Sequence, residues 1–349
     1  MLKFFIKQCI KVILYYSGMI ELLHSLITSK LRVAVILRYH SVADLKDENF
    51  AYASPQITVS TKNFEEQIRY LAKRYNIISL EDIVLHIKED KPLPKNSLAI
   101  TFDDGYKDNY LNAYPILKKY GVTATFFLAA GCLNGKDVLW THRIIYILKE
   151  TKKKEISLKT QDGSNVLNLE TLKDKLNAID IINPIILRLD QSKREEFITD
   201  LANKLEVDIN RQEYSHKYML SWAEVKEMEK GGMSFGSHTI THCNLPHCSY
   251  DYAKKEIEGS KTILEEELGK PINLFSYPNG TIKIHFNEEV KRIVEESGFI
   301  SAVTSVDGVV DKKSDLYELK RKGVGKDMKL CLLATEIVIS MIKEIFFKR

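Results

Sequence analysis

The chain has 349 residues, of which 44% are apolar and 28% charged, and its net charge is +4. This balance is typical of a folded globular protein and excludes a disordered or fibrous one. The near equality of 51 basic and 47 acidic residues gives no reason to expect a nucleic-acid partner. The length suits one large α/β barrel or two ordinary domains.

The cysteines indicate a reducing environment. Their number is odd, they are far apart, and the chain is too large to need disulfides for stability. We therefore expect free thiols and a cytoplasmic location, in solution or at the membrane surface, and secretion stays open as an alternative. The five positions are Cys9, Cys132, Cys243, Cys248 and Cys331.

Both ends of the chain have an amphipathic helical pattern. Residues 1–31 carry lysines among apolar residues but lack the long apolar run and cleavage site of a secretory signal. They are also too interrupted to form a spanning helix of about 20 apolar residues. Residues 326–349 show a similar pattern. Either helix is suited to peripheral contact with a membrane surface, although packing on the domain is the commoner fate.

Predicted strands and helices alternate in chain order from residue 32 to residue 130. Strands are predicted over 32–39, 75–79, 98–102 and 122–129. A helix is predicted to begin near the N-cap candidates at 60–63, with Phe64, Ile68 and Leu71 on one face, and further helices are predicted over 80–88 and 109–120. Such alternation is typical of a parallel sheet with helical crossovers.

The rhythm changes between about residues 140 and 219. Charged helical segments, including 171–189 and 192–205, surround a turn that contains Gly163. We interpret this region as a largely helical insertion that caps the active face. The alternation then resumes with helices over 222–230, 252–268 and 287–297 and strands over 233–237, 274–277 and 302–304.

The buried strand that begins at Leu98 ends in two adjacent acids, Asp103 and Asp104, followed by Gly105. In a barrel of parallel strands, the carboxyl ends of the strands form the face where chemistry occurs. One carboxylate can bind a cation there while its neighbour accepts a proton. Taken alone, a solvated Asp-Asp-Gly turn is an equally good interpretation.

A second strand is followed by His238 and His242. On a helical turn, a spacing of four residues places both imidazoles on one face. An isolated pair of this kind is more often a pair of surface histidines. Together with the Asp103-Asp104 pair, however, it predicts an open metal site of two histidines and one carboxylate, as used for zinc or non-haem iron.

Several motifs together resemble those of the polysaccharide deacetylases, the NodB-like family of carbohydrate esterases. They are RYHSV at 38–42, TFDDGY at 101–106, LSWAEV at 220–225, HTITH at 238–242 and FSYPNG at 275–280. The resemblance covers residues 32–325, with a loose match over the insertion. It implies an α/β fold, an irregular TIM-like (β/α) barrel, flanked by the terminal segments 1–31 and 326–349.

The resemblance also implies roles for individual residues. Asp104, His238 and His242 would bind a divalent metal, zinc in the first place and cobalt or nickel as alternatives, with Asp103 as the general base. Many members take a catalytic acid from a histidine near the C-terminus, but none of the nine histidines here follows His285. A branch of the family uses a Tyr-His motif on the first strand, so we assign the acid to His40, after Tyr39.

Other assignments have plainer alternatives. The arginine that usually steadies the base is missing from FSYPNG, and Arg321 is its predicted substitute. The segment Tyr277, Pro278 and Asn279 either supplies a donor to the oxyanion or is an ordinary turn. Trp222 either lines the substrate groove or packs beneath the site. Trp140 and His142 are expected to be scaffolding, with sugar contact as the alternative.

These observations predict a metal-dependent hydrolase that removes N-acetyl or O-acetyl groups from amino sugars. The substrate would be an N-acetylated polysaccharide, oligosaccharide or lipid-linked glycan precursor. One alternative is a deformylase or amidase that acts on a lipid-linked amino sugar. Another is a catalytically silent carbohydrate-binding barrel, which the intact set of Asp103, Asp104, His238 and His242 disfavours.

Overall fold

The computed structural model describes residues 2–47, 54–135, 137–160, 163–209 and 211–347. The strands are β1 (Ala34–Tyr39), β2 (Ser41–Val42), β3 (Thr58–Val59), β4 (Asn76–Ile77), β5 (Ser97–Phe102), β6 (Thr125–Leu128), β7 (Glu155–Thr160), β8 (Gly163–Asn168), β9 (Ser234–Ser237), β10 (Leu274–Ser276), β11 (Ser301–Val303) and β12 (Lys322–Gly323).

The α-helices surround this framework. They are α1 (Leu2–Tyr16), α2 (Met19–Lys30), α3 (Thr61–Arg74), α4 (Leu80–Lys88), α5 (Tyr114–Lys119), α6 (Trp140–Glu150), α7 (Leu172–Ile186), α8 (Gln191–Lys204), α9 (Arg211–Tyr218), α10 (Trp222–Lys230), α11 (Tyr250–Leu268), α12 (Glu288–Glu296) and α13 (Leu330–Phe347).

The main sheet is parallel and curls into an irregular barrel. Its strand order is β11-β10-β9-β6-β5-β1-β12, and β4 pairs with the start of β5. The neighbouring strands along this order are all paired in parallel. The α/β prediction is therefore confirmed, because helical crossovers connect strands that run in the same direction.

The two edges of the sheet approach each other through the segment that precedes β12. The N–H of Leu319 donates to Ala302 O at 3.0 Å, and the N–H of Thr304 donates to Leu319 O at 2.8 Å. A few residues later, Lys322 and Gly323 pair with β1. The segment thereby bridges β11 and β1, and it places Arg321 in the interior near the ends of β5 and β11.

Several helices begin at a serine whose side chain caps the first turn. The Ser79 hydroxyl accepts from the Asp82 N–H at the start of α4, and the buried Leu80, Ile83 and Ile87 share one face of that helix. Ser221 and Glu224 form a reciprocal capping box at the start of α10. Such caps satisfy backbone N–H groups that the first helical turn leaves without partners.

The predicted helix over 109–120 is divided into two parts. Residues Asn109–Ala113 form a π-helical turn, and α5 follows it. Pro115 explains the irregularity, because proline lacks the N–H that an α-helix needs and its ring clashes with the carbonyl of the preceding turn.

The insertion has a hydrophobic core of its own and is less helical than predicted. Ile144, Leu148, Ile182 and Ile198 belong to this core, which is separate from that of the barrel. Between α6 and α7 the chain forms an antiparallel hairpin of β7 and β8. The sequence interpretation placed only a turn at Gly163 within helical segments, so it missed this hairpin.

The terminal segments differ from their predicted form. Residues 2–30 form two helices, not one, because Gly18 adopts a left-handed φ of 75° at their junction. The C-terminal helix α13 is a core helix, in which Leu333, Ile337 and Val338 are fully buried. The helix α13 therefore packs on the domain, which was the commoner of its two expected fates. The domain boundaries at 31/32 and 325/326 stay predictions.

Candidate active site

The ends of the parallel strands form a cleft of about 290 Å³. Asp103 and Asp104 follow β5, His40 follows β1, and His238 follows β9. All four line the cleft and have little exposure to solvent. The carboxyl ends of neighbouring parallel strands meet at one edge of a sheet, which explains why these distant residues converge.

Asp104, His238 and His242 form a buried group suited to a metal ion. The Nε2 atoms of both histidines lie 3.4 Å from Asp104 Oδ1, and the three ligand atoms lie within 4.8 Å of one another. Asp104 Oδ1 has no hydrogen-bond partner despite its burial. Ligand atoms around a tetrahedral zinc ion are about 3.4 Å apart, so the residues fit such an ion.

The two histidines do not lie on a helical turn, as their spacing suggested. Residues 238–242 form a loop in which Thr239 and His242 have left-handed φ angles of 65° and 55°. The Glu256 carboxylate on α11 accepts hydrogen bonds from the N–H groups of Ile240 and Thr241 at 3.0 and 2.9 Å. Loop geometry fixed by this carboxylate brings the imidazoles together.

Each histidine of the pair is oriented by a second contact. The ring Nδ1 of His238 lies 2.7 Å from Ser276 O, and because a carbonyl only accepts, Nδ1 carries the proton. This arrangement leaves the lone pair of Nε2 directed at the metal position. The indole N–H of Trp140, in the insertion, donates to His242 O at 3.0 Å and so holds the second ligand's backbone.

Asp103 is held by Arg321, which supports the predicted substitution of one arginine for another. The guanidinium donates from Nη1 to Oδ1 and from Nη2 to Oδ2, both at 2.7 Å, and its Nε donates to Thr304 O at 2.7 Å. Burial alone would raise the pKa of Asp103, but Arg321 offsets that effect and holds the pKa below its ordinary range. The carboxylate is therefore ionised and fixed in orientation.

His40 lies beside this base. Its Nε2 is 4.0 Å from Asp103 Oδ2, and its backbone carbonyl accepts from Asn109 Nδ2 at 2.7 Å. Burial lowers the pKa of His40 to about 4. The imidazole is therefore neutral at neutral pH, and it can act as an acid only after it gains a proton.

The sequence analysis missed most of the residues that line the cleft, and two of them lie close in sequence to predicted site residues. Arg38 is two positions before His40 on β1, so the alternation of a strand predicts that both point to the same side. Its guanidinium donates to Ser305 Oγ. Tyr106 lies within the TFDDGY motif, and its ring stacks on His142 at a centroid distance of 5.0 Å.

Some predicted substrate contacts lie outside the cleft. Trp222 is buried in the barrel core. The Tyr277 side chain is also in the core, where it stacks on Phe286 at 4.2 Å. The Tyr277 N–H donates to Val303 O, and Pro278 has no N–H, so only Asn279 of this segment keeps a backbone donor for an oxyanion. Asn279 lines the cleft.

The insertion contributes the opposite wall of the cleft. Its lining residues are Thr141 and Ile145 from α6 and Ile179, Asp180 and Asn183 from α7. The predicted scaffolding residues lie behind this wall. Trp140 contacts the metal-ligand loop, and the His142 ring is packed between Tyr106 and Tyr218.

Residues 90–171 and 193–301 match the family model described as polysaccharide deacetylase, which accounts for more than half of the chain. The chain belongs to the polysaccharide deacetylase family. The resemblance found in the sequence and the enzyme class that it implied are thereby confirmed. The assignment to a branch with a Tyr-His motif stays a prediction.

Named relatives of the polysaccharide deacetylase are similar over most of its domain. YxkH of Bacillus subtilis (strain 168), whose name assigns it provisionally to the same family, is 24% identical over 84% of this chain and 72% of its own length. A poly-β-1,6-N-acetyl-D-glucosamine N-deacetylase of Staphylococcus aureus (strain MRSA252) is 28% identical over 58% of this chain and 71% of its own.

Solved structures share the fold of this deacetylase. The deacetylase PplD of Streptococcus pyogenes, in complex with acetate, has a TM-score of 0.57 and 21% identity, and the match covers 88% of this chain and 98% of PplD. IcaB from Ammonifex degensii has a TM-score of 0.55 and 17% identity, with 89% and 98% covered. The predicted irregular barrel is confirmed by these matches.

Proposed function

We propose that this chain is a metal-dependent N-deacetylase that acts on N-acetylated amino sugars of a polysaccharide or lipid-linked glycan. The proposal rests on two groups of residues that lie next to each other in the cleft. A buried group of metal-binding atoms on Asp104, His238 and His242 lies next to a carboxylate, Asp103, that Arg321 keeps ionised. A metal that polarises the carbonyl and a base that takes the proton of water together supply the chemistry for hydrolysis of an amide.

The metal proposed here is zinc, with cobalt and nickel as alternatives. One carboxylate and two imidazoles form a donor set that suits these ions and leaves positions open. When bound, such an ion polarises an amide carbonyl and lowers the pKa of water. Asp104 Oδ1 is buried and has no hydrogen-bond partner, and a bound ion would supply the missing partner, which supports this assignment.

The protein residues then move one proton. Asp103 accepts a proton from the water that attacks the acetyl carbonyl carbon, and Arg321 keeps the accepting oxygen in place. His40 Nε2, 4.0 Å from Asp103, is neutral and can take that proton over. It delivers the proton to the sugar nitrogen as the C–N bond breaks, which yields acetic acid and a free amine, and the acid then loses its remaining proton to solvent as acetate.

The cleft accommodates one acylated sugar unit. Its volume of about 290 Å³ lies near the lower end for small-molecule sites, so further sugars of a polymer would lie outside it. Asn279 extends into the cleft from the barrel side and Asn183 from the insertion. The name of the Staphylococcus aureus relative makes oligomers of β-1,6-linked N-acetylglucosamine the first substrates to test.

The test is acetate release from β-1,6-linked N-acetylglucosamine oligomers and lipid-linked N-acetyl sugars. The protein is stripped of metal and reloaded with zinc, cobalt or nickel, and an Asp103→Asn variant is treated in parallel. We expect release that depends on added metal and is lost in the variant. N-formyl versions of the same sugars test the deformylase alternative.

Two results would overturn the proposal. Bound metal without release of acetate or formate from any substrate would indicate a binding protein. Failure to bind any of the three ions would show that Asp104, His238 and His242 do not form a metal site.

A further inference from the structure

The N-terminal helix pair exposes an unusual number of large apolar side chains. Among the described residues, sixteen such side chains are exposed, and seven of them lie on α1, on α2 or at their junction. Successive members are three or four residues apart, so on each helix they share one face. We call this set the N-terminal apolar face: Ile6, Ile10, Ile13, Tyr16, Met19, Leu22 and Leu26.

The opposite faces of both helices are already fixed to the body of the protein. On α1, Lys11 pairs with Glu336, and its carbonyl accepts from Thr335 Oγ1 at 3.2 Å. On α2, Ile20 and Ile27 are buried. The domain therefore covers the inner side of the pair and leaves the N-terminal apolar face turned outward.

The inner side of α2 also holds the acidic charge of the pair. Glu21 is the single acidic residue between positions 2 and 30 of the sequence. Its carboxylate accepts from Tyr70 at 3.0 Å and pairs with Arg74 at 2.7 Å, so it is committed to α3. The contact between His24 and Asn96, at 2.9 Å, adds to the same attachment.

The charge on the outer side is positive. Lys7 is exposed between Ile6 and Ile10, and the described outer side carries no carboxylate. Apolar side chains flanked by lysine suit a surface of acyl chains and anionic headgroups. Two copies of this face joined by a two-fold axis would instead bring their own lysines together, which disfavours self-association.

No described helix is long and apolar enough by itself to cross a bilayer. Segments 6–16 and 19–28 reach the length and apolar content of a membrane-spanning helix only when they are taken together, and they are bent by 76° from each other. Insertion across a membrane would also break the attachments of Lys11 and Glu21 to the domain. An in-plane position at the interface keeps those attachments.

We propose that the N-terminal apolar face docks the enzyme on the surface of an anionic membrane. The apolar side chains enter the boundary between headgroups and acyl chains, and Lys7 contacts the headgroups. Docking of this kind would hold the catalytic cleft close to glycans that are made or carried at the membrane. The proposal does not depend on the proposed reaction.

The test uses the full chain and sedimentation with vesicles. One set contains equal parts of phosphatidylglycerol and phosphatidylcholine, and the other contains phosphatidylcholine alone. We expect binding to the anionic set that weakens as salt is added, and weaker binding to the neutral set. Lys7→Gln should lower the affinity for anionic vesicles about fivefold, the effect of one lysine near such a surface.

A matched pair of substitutions tests the apolar contribution. Ile13→Asp, at a side chain 65% exposed, should lower the affinity about tenfold or more. Leu85→Asp introduces the same charge at an exposed leucine on α4, 45% exposed, and should bind as the unmodified protein does. Circular dichroism and acetate release from a soluble oligomer check that both variants are folded.

Three results would overturn the proposal. The first is that the unmodified chain stays in the supernatant with both vesicle sets. The second is that Ile13→Asp binds as strongly as Leu85→Asp. The third is a dimer of the unmodified chain in solution that Ile13→Asp converts to a monomer without any vesicle binding, which would assign the face to self-association.

Discussion

The two walls of the catalytic cleft are built in different ways. On the barrel side, Asp103 and His238 are buried. Arg321 holds Asp103, and Ser276 O holds the ring of His238. On the insertion side, Asp180 is exposed and Asn183 is half-buried with an unpartnered Oδ1. The barrel wall is preorganised for chemistry, whereas the insertion wall has polar groups still available to a substrate.

This difference separates two kinds of function within one site. Substitutions on the barrel wall should affect the chemical step, because its groups are fixed where charge develops. Substitutions on the insertion wall should affect the binding of the sugar. The insertion also supports the barrel wall, through the hydrogen bond from Trp140 to His242 O and the stacking of His142 on Tyr106, so the separation is not complete.

The largest loss of activity is expected from substitution of the base Asp103 or of the metal ligand His238, and the two variants should differ in whether they still bind metal. Asp103→Asn should lower kcat by about 10²–10⁴-fold, the usual contribution of a general base, and keep the bound metal. His238→Ala should lose the metal together with activity. Metal analysis and acetate release distinguish the two variants. Asp251→Asn, on the exposed start of α11, is the control. Retention of more than a tenth of the activity in Asp103→Asn would contradict the assigned role.

His40→Ala should lower kcat for N-acetyl sugars by about 10²-fold, because the amine is a poor leaving group without a proton. Hydrolysis of a nitrophenyl acetate should fall much less, since nitrophenolate leaves without protonation. The measurement is kcat on both substrates, with His86→Ala on α4 as a control. Equal losses on the two substrates would indicate a structural role for His40.

The stability of the barrel should depend on pH through Asp108, a buried residue that contacts β2. Burial raises the pKa of this carboxyl to about 6, although Ser41 and Val42 donate hydrogen bonds to it. The folded state therefore binds the proton more tightly, and the contribution of Asp108 to stability is lost as pH rises from about 4 to 6. We compare the free energy of unfolding of Asp108→Asn with that of the unmodified protein. From pH 4 to pH 7, this difference should shift in favour of the variant by about 2–3 kcal/mol.

Urea unfolding of the metal-free proteins at the two pH values measures this difference. The asparagine keeps an acceptor for the Val42 N–H, so both forms should fold. An equal difference in the free energy of unfolding at both pH values would show that Asp108 does not titrate in this range.

The smallest effect is expected on the insertion wall. Asn183→Ala should raise KM about fivefold and leave kcat unchanged, because one hydrogen bond to the sugar is lost. Steady-state kinetics on an N-acetyl oligomer measures both constants. Asn177→Ala, on the same helix but outside the cleft, should change neither. A fall in kcat for Asn183→Ala would remove the distinction between the two walls.

Much of the local structure follows from the sequence. The bounds of α4 and α10 were predicted because hydrophobic periodicity is a local signal, and the structure shows a serine cap at the start of each helix. The hairpin of β7 and β8 was missed because it lies between charged helical segments and has a weak strand pattern. The division of the helix at Pro115 depended on how the chain adjusts around a missing N–H, which the pattern alone does not specify.

For the site, the sequence by itself determined which residue types were present and at which strand ends. Asp103, Asp104, His238 and His242 were identified because short motifs carried them together. Only the tertiary structure decided how they meet, since left-handed angles at Thr239 and His242 orient the imidazoles where a helical turn was expected.

The tertiary structure also decided which supporting residues reach the cleft. Arg321 is 218 residues from Asp103 and contacts it because the segment before β12 bridges the edges of the barrel. Trp222 packs in the core, which was one of its two expected positions, and the side chain of Tyr277 packs there as well. Sequence specifies local propensity and side-chain chemistry, whereas contacts between distant segments arise only when the barrel closes and its core is packed.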